Sequence, residues 1–157
     1  MAPARNASVP LVSRLLATGF YSGYSPFASG TAGSLVGLLF YIIPGFEKPF
    51  ILPTLTLAFL IVGIKISAQM EQAFGDDPQI VVIDEIVGMW IALLFLPKKF
   101  SIALLAFLLF RLFDIFKPPP ARQAERLKNG VGIMLDDVVA GLYANVVLQL
   151  FLLVVPI

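Results

Sequence analysis

The stretch Arg111–Gly141 reads RLFDIFKPPPARQAERLKNGVGIMLDDVVAG, and it decides the fold. It opens inside one apolar helix and closes inside another. Between them it carries Arg111, Asp114, Lys117, Arg122, Arg126, Lys128, Asp136 and Asp137. The triple proline Pro118–Pro120 ends the first helix, because proline cannot supply the hydrogen bonds that would continue it. The rest of the chain is poor in charge: of 157 residues, 59% are hydrophobic and 13% charged, where a soluble domain carries about 25% charged residues. Ionisable groups beside hydrocarbon are costly, so their concentration here marks a site.

Outward from this stretch the chain reads as an all-α membrane bundle of four to five spans in a single domain, 1–157. Residues 1–10 are polar and read as a frayed tail. Leu11, Val12, Leu15 and Leu16 fall at helical spacing and predict a short helix on the membrane surface. Gly19–Ser34, GFYSGYSPFASGTAGS, is dense in Gly, Ser and Pro and reads as a loop, with Thr31 or Ser34 capping the helix that follows. Spans are expected at about 32–44, 50–69, 80–96, 100–116 and 137–157, and an acidic, turn-prone loop at 70–79. Since a spanning helix needs about 20 residues, the first is short unless the loop contributes.

Lys and Arg set the orientation. With the N-terminus inside, Arg5, Arg14, Lys65, Lys117, Arg122, Arg126 and Lys128 lie on the inner side and Lys48, Lys98 and Lys99 on the outer. The Gly/Ser loop, the Asp84–Glu85 end, the Arg111–Lys117 end and the Asp136–Asp137 end then share the cytoplasmic side. No signal peptide is expected, because Arg14 breaks the early apolar run.

The absence of Cys and His restricts the chemistry. It removes thiolate nucleophiles, imidazole zinc sites and phospho-histidine. No Asp-x-Asp pattern is present for an aspartyl nucleophile of the dehalogenase type. Nor does a basic tract suggest a nucleic-acid partner.

Arg111, Asp114 and Lys117 recur at i, i+3 spacing and lie side by side on one helix face. They form either a structural Arg–Asp pair with a Lys reaching for the interface, or a carboxylate flanked by two phosphate-binding cations. Asp84–Glu85 and Asp136–Asp137 are acidic pairs, each followed by a glycine that permits close helix packing. Helix capping is the plain alternative and suits Asp136 better than Asp84. Five converging carboxylates would repel one another unless a divalent cation sat among them, and oxygen-only ligands suit Mg²⁺, Mn²⁺ or Ca²⁺. Ser29–Ser34 could present backbone N–H groups to an anion, although no Lys follows the glycines as in a Walker loop.

Four segments resemble the phosphatidylglycerophosphatase A family of bacterial membrane phosphatases. They are Ser25–Ser34 (SPFASGTAGS), Ile83–Gly88 (IDEIVG), Phe110–Pro118 (FRLFDIFKP) and Gly132–Gly141 (GIMLDDVVAG). The resemblance runs in order from about Leu15 to Leu150. It departs at Ser29, where the family often has Pro, and at Pro119, where Trp is common. It implies Mg²⁺-dependent removal of the terminal phosphate of phosphatidylglycerophosphate at the cytoplasmic leaflet of the bacterial inner membrane. The expected metal ligands are Asp84, Glu85, Asp114, Asp136 and Asp137. Catalytic roles fall on Asp84, Glu85, Asp114, Asp137 and Lys117. The phosphate is expected at Gly30, Thr31, Ser34, Arg111, Lys117 and Arg122, with attack by water, a carboxylate or Thr31 left open. The competing classes are a CDP-alcohol-type phosphotransferase, for which Ala121–Arg122 lacks its preceding Asp-Gly, and a cation transporter with acids at mid-membrane depth.

Overall fold

A computed structural model describes residues 9–155. Residues 1–8 of the expected frayed tail, Arg5 among them, and the last two residues of the fifth span lie outside the described residues; Val9, expected in that tail, is instead buried against the core. Among those described, every regular element is a helix: α1 Leu11–Ala17, α2 Ser29–Ile42, α3 Ile51–Phe74, α4 Ile83–Ala92, α5 Phe100–Phe116, α6 Ala121–Ala124 and α7 Val131–Val154, with one 3₁₀ turn at Ser22–Tyr24. By length and composition, α3 and α7 are long and apolar enough to cross a membrane. Both are 24 residues long, about 36 Å at 1.5 Å per residue.

α4 is the axis. Its residues Ile86–Ala92 are all buried, with α2, α3, α5 and α7 packed around it. Trp90 lies in its core rather than at lipid. It donates from Nε1 to the Gly37 carbonyl at 2.9 Å and meets Phe40, Phe46 and Phe59 edge-on. Glycines set how closely the helices approach. A Cβ on Gly141 would strike the carbonyl of Gly88, and a Cβ on Gly88 would lie 2.5 Å from the Phe110 ring. The expectation that these glycines allow close packing holds.

Three expectations are corrected. Helix α2 begins at Ser29, so Ser29–Ser34 is its first turn and a half rather than a loop. The chain turns at Ala28 (φ 48°), and no side chain caps the helix. Thr31 and Ser34 are not caps; the buried Ser34 hydroxyl donates back to the Gly30 carbonyl at 2.8 Å. Small residues here serve packing, because a Cβ on Gly33 would lie 2.6 Å from Val82. Helix α3 continues through Phe74, which shortens the expected acidic loop. Finally, the capping assignments reverse. α4 starts at Ile83, so Asp84 and Glu85 occupy its first turn, while α7 starts at Val131 and leaves Asp136 in its second turn.

Two tethers fix the polar end of the bundle. The Val82 N–H donates to the Ala17 carbonyl at 2.7 Å and ties the end of α1 to the start of α4. The Gly130 N–H donates to Glu71 Oε2 at 2.8 Å and ties the end of α3 to the start of α7. At the opposite end, Lys98 pairs with Glu47 at 2.7 Å and joins two turns far apart in sequence.

Candidate active site

One cavity of about 430 Å³ opens at the polar end. Five segments wall it, and four are those the charge pattern predicts: the loop and first turn of α2 (Ser25, Ser29, Gly30), the start of α4 (Asp84, Glu85), the end of α5 (Arg111, Asp114, Lys117) and the second turn of α7 (Asp136, Asp137). α5 arrives with Arg111 and Asp114 on one face. Lys117 follows in a left-handed conformation (φ 45°) that turns the chain into the prolines.

The acids divide into two kinds. Asp114 and Asp136 are ion-paired: Arg111 Nη1 lies 2.6 Å from Asp114 Oδ2, and Lys117 Nζ lies 2.8 Å from Asp136 Oδ2. Among the described residues, Asp84, Glu85 and Asp137 form no ion pair. Each offers an oxygen within 4.8 Å of the other two. Asp84 Oδ1, Glu85 Oε2 and Asp137 Oδ2 are buried without a hydrogen-bond partner. Three buried carboxylate oxygens gathered without donors are unfavourable on their own. Hard oxygen ligands at this spacing fit a divalent cation. The structure thus groups three of the five expected ligands and gives the other two to cations.

The phosphate-binding expectations also divide. Gly30 lies against the acids and the cation: a Cβ there would meet Glu85 Oε1 and would lie 2.9 Å from Arg111 Nη1. The backbone N–H groups of Ser29 and Gly30 open α2, where the first N–H groups have no intrahelical acceptor. Arg111 also reaches Ser34 Oγ at 3.4 Å, and its Nε is buried without a partner. Thr31, Ser34 and Arg122 do not wall the cavity. Ser34 touches it only through Arg111, and Arg122 is exposed on α6.

Lys117 is held charged. Burial disfavours the ammonium, but its hydrogen bonds to Asp136 and Glu125, each 2.8 Å, outweigh that and raise its pKa above the usual lysine value. Sequence reasoning passed over Glu125, although it stands in the opening stretch. It also passed over Asp77 and Gln79, which wall the cavity from the α3–α4 loop. The acidic composition of that loop was the available signal.

Comparison with known proteins gives a concordant result. The family profile described as Phosphatidylglycerophosphatase A matches residues 15–152. An Escherichia coli protein described as phosphatidylglycerophosphatase A is 37% identical over 130 residues, 81% of this chain and 76% of that protein. A Haemophilus influenzae protein of the same description is 41% identical over 152 residues, 92% of this chain and 91% of that protein. A Bacteroides thetaiotaomicron protein described as "Putative phosphatidylinositol-3-phosphatase" is 44% identical over 142 residues, 85% of this chain and 89% of that protein. No solved structure matches.

Proposed function

The chain belongs to the phosphatidylglycerophosphatase A family and is a phosphatase that converts phosphatidylglycerophosphate to phosphatidylglycerol; from that premise we propose that the 430 Å³ cavity is its active site. We further propose that one Mg²⁺ binds to Asp84, Glu85 and Asp137. The observation that carries this reading is the trio of buried carboxylate oxygens without donors, one from each of those residues. A divalent cation bound there would neutralise the acids, polarise a phosphoryl oxygen and lower the pKa of a water.

The chain's own groups do the rest. Arg111 and Lys117, each already oriented by a carboxylate, face the phosphate from the α5 side. Arg111 Nε and the N–H groups of Ser29 and Gly30 are donors without protein acceptors. Asp114 and Asp136 serve as counter-ions that position the cations and are not ligands. Water adds to phosphorus, the bond from phosphorus to the glycerol oxygen breaks, and that oxygen leaves with a proton. A carboxylate at the cavity wall takes the proton of the attacking water. Thr31 does not wall the cavity, which favours water over a threonine nucleophile.

We place the domain, residues 1–157, as a multi-pass protein of the bacterial cytoplasmic membrane, with the N-terminus and cavity inside and an anionic phospholipid as substrate. The outward apolar faces of α2, α3, α5 and α7 support this, with Leu39, Leu57, Leu108 and Leu150 all more than half exposed. The acids gather at one end of the bundle beside two cations, which argues against a mid-membrane ion path. The Bacteroides relative's name suggests a second substrate, a phosphoinositide. It too is a lipid phosphomonoester for which the same donors would serve.

The test is phosphate release by the purified, reconstituted protein from phosphatidylglycerophosphate and from a phosphoinositide monophosphate, with Mg²⁺ and then with excess EDTA. Mg²⁺-dependent release from the first that is lost in Asp137→Asn is expected. Release from neither lipid would overturn the reading.

A further inference from the structure

The segment between α1 and α2 is irregular, yet it offers few backbone donors to water. Every N–H from Thr18 to Ser25 donates to an acceptor in α1 or in the segment itself, at 2.8 to 3.2 Å. Its hydroxyls find local carbonyls as well. Thr18 Oγ1 donates to the Arg14 carbonyl, Ser22 Oγ to the Thr18 carbonyl and Ser25 Oγ to the Phe27 carbonyl, at 2.8, 3.3 and 2.8 Å. The outside of the segment is aromatic. Phe20, Tyr21, Tyr24 and Phe27 are 58%, 50%, 48% and 84% exposed, and no charged residue occurs from Leu15 to Phe46. Phe20 and Tyr21 are successive left-handed residues, with φ of 56° and 70°. Bulky residues adopt that conformation rarely, and here both side chains are exposed.

The segment also starts well away from the polar end of the bundle. A Cβ on Gly19 would lie 3.2 Å from the Ile86 side chain, and a Cβ on Gly37 would lie 3.2 Å from the Ile86 backbone. Gly37 is about 12 Å along α2 from Ser29. The Phe20 ring meets the ring of Phe40, in the last turn of α2, with centroids 6.2 Å apart. From there the chain returns to the cavity, where Ser25, Pro26 and Ala28 form part of the wall. Phe27 falls between the last two.

We infer that Phe20–Phe27 is seated in the leaflet and forms the lipid-facing side of the cavity wall. Irregular backbone is normally kept out of lipid because its polar groups go unsatisfied. Here every N–H along the turn is met, which removes that half of the cost. In water the same segment would expose four aromatic rings and gain nothing from its closed hydrogen bonds. Tyrosines such as Tyr21 and Tyr24 suit the level of the lipid headgroups. The partner of this face is thus a lipid surface. The use made of it rests on the active-site reading above: a phospholipid whose phosphate meets Gly30 and Arg111 keeps its chains in the leaflet beside Phe27.

The experiment reads lipid contact without turnover. Phe20→Trp and Phe27→Trp are made separately in the full chain and reconstituted in phosphatidylcholine vesicles. Both positions are exposed, and the one native tryptophan, Trp90, is 2% exposed and supplies the baseline. Brominated lipid chains should remove most of the added emission in both variants. Emission that brominated lipid leaves unchanged, at either position, would overturn the inference; iodide in the water then tells solvent from a second copy of the chain over the face. Phosphate release tests the use of the surface. Phe27→Glu should raise KM for phosphatidylglycerophosphate in vesicles by about tenfold, with kcat kept, because it sets a charge in lipid. An unchanged KM would overturn delivery past Phe27. Because quenching needs no turnover, failure of the active-site reading and failure of this one are separate results.

Discussion

Lys117 Nζ lies 2.8 Å from Asp136 Oδ2, across the gap between the last residue before the prolines and the second turn of α7. This contact joins the two halves of the opening stretch and places an ammonium at the mouth of the cavity. Lys117→Met should lower kcat/KM by about 100-fold, the loss typical of one donor to a developing oxyanion. Lys117→Arg should recover part of it. A Lys117→Met enzyme with wild-type kcat/KM would remove Lys117 from the chemistry.

The same contact fixes a pH dependence. The pKa of Lys117 is raised in the fold, so its stabilising contribution is complete below the ordinary lysine value of about 10.4 and is lost only as pH rises through the higher folded value. Lys117 should therefore add no break to the pH–rate profile between about pH 6 and pH 9. Asp136→Asn removes one of its two partners and should bring alkaline inactivation to lower pH. An alkaline limb below about pH 9 in the wild type that moves in Lys117→Arg would contradict this.

Asp137 is 2% exposed and shares its surroundings with Asp84 and Glu85. Asp137→Asn removes one acid from a crowded set. In EDTA its Tm should rise by about 2–4 °C, the change that about 1 kcal/mol produces in a chain of this size. Added Mg²⁺ should then raise Tm less than it raises the wild type's, measured by differential scanning fluorimetry. A Tm in EDTA below the wild type's would mean that Asp137 is a structural acid.

Two glycines should separate function from stability. Gly30→Ala pushes a methyl at the ends of two flexible side chains, Glu85 and Arg111, which can shift. Activity should fall by about tenfold or more while Tm stays within a few degrees. Gly141→Ala meets the Gly88 backbone carbonyl, which cannot move without parting α4 from α7. Its stability should fall by the roughly 1–3 kcal/mol typical of overpacking, a drop in Tm of up to about 10 °C. If the two variants behave alike by fluorimetry and phosphate release, this division of roles is wrong.

Arg111 holds Asp114 through Nη1 and keeps Nε free. Lysine can keep the ion pair but not the second, fixed donor. Arg111→Lys should retain the fold and raise KM for the lipid phosphate by about tenfold. An unchanged KM would show that the guanidinium fork makes no phosphate contact.

The meeting of four polar segments was readable from the sequence because each cause is local and strong. Pro118–Pro120 must end a helix, Gly130 must turn the chain, and charges such as Arg111 and Asp114 need partners in an apolar chain. Element edges were harder to read. A buried helix and a lipid-facing one are both apolar, so the periodicity of Ile80–Leu96 could not reveal that α4 is only ten residues long and begins at its acids. Gly30 and Gly33 looked like loop residues because a glycine chosen for close packing and one chosen for a turn read alike. The division of five acids into three free and two paired was also hidden, since it depends on how Lys117 and Arg111 reach across elements.

The shortness of α4 bears on how the protein is made. A ten-residue helix is about 15 Å long, half the hydrocarbon thickness, and this one begins with two acids. It is a poor candidate for release into lipid by itself as it leaves the insertion machinery. Asn145 of α7 donates from Nδ2 to the Ala92 and Leu94 carbonyls at the end of α4, at 3.1 and 2.8 Å, and so satisfies backbone groups that lipid cannot. α4 therefore waits for α7 to be synthesised before it has a settled place. A nascent chain arrested before α7 should bind no divalent cation.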